Sequence, residues 1–101
     1  MLSNQELAKA VEQALVHAGF QPYNPRTPNE RGFGVLPDTG SDSVTVTTGP
    51  TDDQSLEELH KYQVALRPLG AHYNLKAILK AIAGGTGADI VESLVVEPIL
   101  P

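Results

Sequence analysis

Cysteine is absent from this chain. That single absence removes disulfides, thiolate nucleophiles and cysteine-based zinc sites together, and it suits a reducing compartment or one where thiols are irrelevant. Tryptophan is absent too, and two phenylalanines and three tyrosines are the only aromatic residues, so a core built from this sequence is mostly aliphatic. No apolar run approaches the roughly 20 residues that a membrane-spanning helix needs. The opening Met1-Leu2-Ser3-Asn4-Gln5-Glu6-Leu7-Ala8-Lys9 has no basic segment leading into an apolar one. A soluble, unprocessed chain with no membrane partner is the expectation.

Positive charge is also scarce. Lys9, Arg26, Arg31, Lys61, Arg67, Lys76 and Lys80 are scattered among twelve acids, and the net charge is −5. Gripping a phosphate backbone needs clustered Lys and Arg, so sequence-reading nucleic-acid binding is disfavoured. The 101 residues fit one domain, 1–101, since two units would each be too short to bury enough apolar surface.

Leu7, Val11, Ala14, Leu15 and Ala18 recur at helical spacing. Ser3 and Glu6 form a capping-box pattern at the start of this helix, and Gly19 can stop it in the left-handed conformation. From Phe20 to Glu30, Pro22, Pro25 and Pro28 exclude a helix or a central strand, which leaves a surface loop. Arg31 to Leu36 places Phe33 and Val35 on one side of a short strand. Ser43 to Thr48 sets Val44 and Val46 opposite Thr45 and Thr47, and the turn-rich Pro37 to Asp42 joins the two as an antiparallel pair.

Leu56 to Leu69 carries two periodicities at once. Leu56, Leu59, Tyr62, Leu66 and Leu69 share a helical face, with Thr51 and Gln54 as a capping box, while Tyr62, Val64 and Leu66 alternate as in a strand. Pro68 costs a long helix its last turn and a strand nothing, which favours a strand from His60 to Arg67, preceded by a loop or one helical turn at Thr51 to Leu59. Leu75, Ile78, Leu79 and Ile82 then predict a second helix, starting near Ala71 to Asn74 and ending at Gly84-Gly85-Thr86-Gly87. Asp89 to Glu97 is apolar on both sides, as in a strand with both faces at least partly covered, and Pro98 ends it. The predicted class is α+β, a small mixed or antiparallel sheet with two helices in the order α-β-β-β-α-β.

Candidate chemistry is thin. His17, His60 and His72 include no pair three or four residues apart. The glycines of Gly84 to Asp89 follow a helical pattern and precede a strand, the reverse of a phosphate-cradling loop, and no Gly-Lys-Ser or Gly-Lys-Thr is present. Asp52-Asp53 and Glu57-Glu58 are paired carboxylates of the kind a hydrolase or a divalent cation uses, but they read as an acidic surface without an apolar wall or further ligand. Ser3, Ser41, Ser43, Ser55 and Ser93 lack a nucleophile-elbow context. The expectation is a non-enzymatic protein with no cofactor, metal or small-molecule substrate. Its candidate contact residues are Pro22 and Tyr23 in the loop, Asp52, Asp53, Glu57 and Glu58 on the acidic stretch, and Ile99 and Leu100 at the end.

The series of elements resembles the tail terminator or head–tail joining minor proteins of long-tailed bacteriophages. An amphipathic helix ends in Ala18-Gly19-Phe20, followed by Tyr23-Asn24-Pro25 in a proline-rich loop, a strand into Gly34-Val35-Leu36-Pro37, and a strand Ser43-Val44-Thr45-Val46-Thr47. Tyr62-Gln63-Val64-Ala65-Leu66-Arg67, Leu75 to Ile82 and a closing Glu97-Pro98 complete it. The resemblance implies a virion protein, assembled in the host cytoplasm, whose copies form a ring, usually hexameric. Such a ring caps the tail tube and meets the head connector. It also gives the acidic balance a use, because DNA slides through a negative channel without specific binding. A second reading is a small acidic regulatory or inhibitory protein that binds one host partner. A third is a hydrolase built on Asp52-Asp53 or Glu57-Glu58.

Overall fold

A computed structural model describes residues 3–50, 54–83 and 90–99, with side chains left out at 80–83 and 90–92. The first helix, α1 (Asn4–His17), forms as its sequence predicts. Ser3 Oγ accepts from the Glu6 amide, the Glu6 carboxylate accepts from the Ser3 amide, and Leu7, Val11 and Leu15 are buried. Gly19 then turns the chain at φ +99°, where any other residue would be strained.

Strands β1 (Gly32–Pro37) and β2 (Val44–Gly49) form the expected antiparallel hairpin. Its turn is locked by Asp38, whose carboxylate accepts from Ser43 Oγ at 2.6 Å and Thr45 Oγ1 at 2.7 Å. Asn4 Nδ2 donates to the carbonyls of Asp38 and Ser41, at 2.8 and 3.1 Å, and so ties the first turn of α1 to this hairpin.

Two predicted elements exchange type between His60 and Ile82. The segment expected as a strand, His60 to Arg67, is instead helical. It belongs to α2 (Ser55–Ala65), which passes through Leu66 into α3 (Arg67–Tyr73). Burial follows the helical period, since Leu59, Tyr62 and Leu66 are enclosed, whereas Val64, which an alternating strand would face inward, is 44% exposed. Pro68 does not terminate anything. It sits in the first turn of α3, where a missing N–H has no helical partner to lose. The capping box expected from Thr51 and Gln54 is not the start of α2, because Gln54 is itself the cap residue and makes no side-chain capping bond.

The helix expected over Leu75 to Ile82 is the strand β3 (Leu75–Ala83). Asn74, in the left-handed conformation at φ 57°, closes α3 and lets the chain leave as a strand. Leu75, Ala77 and Leu79 pack against the core at period two, while Ile78 between them is exposed. The closing strand β4 (Ile90–Pro98) matches the predicted one, and the glycine stretch 84–89 between β3 and β4 lies outside the described residues.

The class is α+β, as the sequence indicates, with the order α-β-β-α-α-β-β. The sheet runs β1-β2-β4-β3, antiparallel throughout. Helices α1 and α2 lie on one side of it, enclosing Leu7, Val11, Leu15, Phe33, Val44, Val46, Leu59, Tyr62, Leu66, Leu94 and Val96. Each such side chain contributes about 1.5–3 kcal/mol by leaving water. Among the described residues no helix is long and apolar enough to cross a membrane.

Candidate functional site

Because side chains alternate along a strand, the residues between the core positions face away from the helices. Register puts Leu36, Thr45, Val95 and Ile78 side by side, one from each strand, in a row across that second side. Leu36 is 64% exposed and Ile78 36%, and among the described residues no helix covers them. Val95, in an interior strand, is shielded by its neighbours on either hand. Beside the row, Lys76 Nζ lies 3.5 Å from Glu97 Oε1 across the β3–β4 pair. An antiparallel sheet face left to water is ordinarily polar, so this apolar row is a surface suited to contact.

The residues proposed for contact from sequence are dispersed. Pro22 is exposed and bridges Phe33 in parallel fashion. Tyr23 is half-buried, because it lies over Gly32 and Gly49, which face each other in the β1–β2 register. A Cβ on Gly49 would come within 2.7 Å of the Tyr23 ring, so the two glycines are what let Tyr23 settle there. Glu57 is exposed on α2, and Glu58 is half-buried, 3.7 Å from Lys61 one turn on. Ile99 is exposed, and its amide donates to the Asn74 carbonyl at 2.9 Å. Asp52, Asp53 and Leu100 lie outside the described residues. The loop from Phe20 to Glu30 is largely exposed, held by Asn24, which accepts from the amides of Arg26 and Thr27.

The fold brings together two histidines that the sequence keeps apart. His17 on α1 and His72 on α3 line one groove of about 520 Å³, with Gln13 and Tyr73 beside them and Ala10, Ala14, Ala18 and Ala65 among its walls. The His72 ring meets Tyr73 edge-on at 4.5 Å. His60 is exposed on α2 and is not part of this groove. Among the described residues no three His, Asp or Glu side chains gather as a metal site would require. Of the serines, Ser3 caps α1, Ser41 and Ser43 shape the hairpin turn, and Ser55 and Ser93 are buried.

Among the described residues one titratable group is clearly perturbed. Burial raises the Tyr62 phenol above its usual value, against a smaller lowering from its bond with Thr48; Glu58 raises it and Arg31 lowers it further. Tyr62 sits in the core, its ring edge-on to Phe20 at 4.8 Å and to Phe33 at 6.2 Å, so this shift belongs to packing.

The open face escaped sequence reasoning because each of its members falls on a different strand. The apolar residues on both sides of 89–97 were its one visible trace, since Leu94 and Val96 face the helices and Val95 faces the other way. Comparison of the chain with protein-family models, with curated proteins and with solved structures finds no match.

Proposed function

We propose that the protein is a non-enzymatic structural protein that works by contact with copies of itself, as a virion tail terminator whose ring caps a tail tube and faces the head connector. The observation that supports contact is the open sheet face, where Leu36, Thr45, Val95 and Ile78 cross all four strands and no helix among the described residues covers them. Packing that face against the helix side of the next copy is a heterologous contact, and such contacts generate rings when the rotation closes. A small domain gains further from covering apolar surface that it cannot enclose alone.

The tail-terminator part of the reading rests on the resemblance in α1, the proline-rich loop, the β1–β2 hairpin and β4. Two elements of the resemblance do not support it, because the strand expected at Tyr62 to Arg67 is helical and the helix expected at Leu75 to Ile82 is a strand. The test has two parts. Light scattering on the eluting protein is expected to give a ring, hexameric by the resemblance, and added tail-tube protein is expected to form tubes of fixed length with this protein at the tip. A protein that stays monomeric and leaves tube length unchanged contradicts the proposal.

A further inference from the structure

Around the core the polar side chains of the helices are engaged. Tyr62 meets Thr48, Gln63 holds the Ala77 carbonyl, Asn4 ties α1 to the hairpin turn, and Glu6 caps α1. The groove between α1 and α3 is different. Among the described residues, no hydrogen bond or ion pair occupies the side chains of Gln13, His17, His72 and Tyr73 that line it.

The groove is built by two helical stretches distant in sequence. Ala10 to Ala18 supply one wall and Ala65 to Tyr73 the other, each at spacings of three and four that keep side chains on one helical face. Alanine keeps it open. A methyl at positions 10, 14 and 18 leaves space that a longer side chain would fill against Pro68 and Leu69. Its 520 Å³ falls within the roughly 300–1,000 Å³ of small-ligand sites, whose walls are mostly apolar with a few polar groups.

The lining sets the charge of what can bind. Seven cations and twelve acids are distributed along the chain, yet no Asp, Glu, Lys or Arg is among the described lining residues. A charged ligand would lose water there and gain no counter-charge of fixed sign. Hydrogen bonds remain on offer, because a glutamine amide, a phenol and a neutral imidazole each donate and accept. The rings set the shape. His72 meets Tyr73 edge-on at 4.5 Å, which leaves at least one face of each ring uncovered by the other, and Tyr73 is 41% exposed. A flat ring can stack there.

We propose that the α1–α3 groove binds a small, uncharged aromatic molecule with an amide-type edge, its ring against the His72–Tyr73 pair and its edge met by Gln13 and His17. This departs from the expectation of no small-molecule ligand, because only the packing of α3 beside α1 joins the two histidines. It does not rest on the tail-terminator reading.

Benzamide, benzoate and benzamidine share one ring and differ in charge, which makes them the probes. In buffer above the ordinary histidine range, benzamide is expected to shift the amide resonances of Gln13, Ala14, His17 and His72 to saturation. Benzoate and benzamidine are expected to bind about tenfold more weakly, having no counter-charge to meet. His72→Ala is expected to weaken benzamide binding severalfold, whereas His60→Ala, outside the groove, leaves it unchanged. Ala10→Leu fills the groove from a half-buried position outside the core cluster, so it is expected to keep the fold and lose binding. Shifts that do not saturate, equal affinity for the three probes, or equal effects of His60→Ala and His72→Ala overturn the site. So does a folded Ala10→Leu protein that still binds benzamide.

Discussion

The Tyr62 hydroxyl lies 3.2 Å from Thr48 Oγ1, and Arg31 Nη1 reaches the same Thr48 oxygen at 3.2 Å. This short chain of polar groups joins α2 to β2 and to the start of β1. It gives Tyr62, the largest fully buried side chain among the described residues, a partner. Replacing Thr48 by Val keeps the shape and removes the partner, which is expected to cost about 1–3 kcal/mol. Urea denaturation should show a lower midpoint with an unchanged slope.

The same phenol makes stability depend on alkaline pH. Its folded value is raised, so the folded state holds the proton while the unfolded state releases it. The contribution is present in full below the ordinary tyrosine value of about 10 and is lost as pH rises beyond it. Tyr62→Phe has no proton to lose there. Urea midpoints measured from neutral pH upward should converge between the two proteins, with the native chain falling faster above that value.

Gly32 and Gly40 separate two reasons for a glycine. A Cβ on Gly32 would collide with the backbone of Tyr23 and Pro22, whereas Gly40 has open space around it and a φ of +81°. Gly32→Ala is expected to cost about 1–3 kcal/mol by displacing the 21–23 segment from β1. Gly40→Ala is expected to cost about 1–2 kcal/mol, from backbone strain alone. Loss of amide protection at Tyr23 and Phe33 in the first variant and not the second would show the difference in mechanism.

The helical period of α2 is tested by two neighbours. Leu66 is buried and Val64 largely exposed, although both would face inward in an alternating strand. Leu66→Ala is expected to cost about 2–5 kcal/mol. Val64→Ala is expected to stay within about 0.5 kcal/mol. Equal large losses at both positions in thermal unfolding would restore the strand.

The parts of the fold legible in the sequence are those where one local signal stands alone. Ser3 with Glu6, followed by Leu7, Val11 and Leu15, admits only a helix, and Val44-Thr45-Val46-Thr47 admits only a strand half in the core. Between His60 and Ile82 two signals overlap. Leu59, Tyr62 and Leu66 against Tyr62, Val64 and Leu66 differ by a single residue, and the choice is made by which of them α2 can press onto β2 and β4. Pro68 misleads because a proline that ends one element also begins a helix well. Leu75, Ile78, Leu79 and Ile82 imitate a helix because the strand carries apolar residues on both faces. The open row is a property of strand order, which pairs distant segments and leaves no local mark.

The most direct test of a contact-making role is the mass of the intact chain in solution, read by light scattering over a range of concentrations. A closed assembly of copies of the 10.7 kDa chain, hexameric for a ring of the proposed kind, is the predicted result. A single 10.7 kDa species at every concentration would contradict the account.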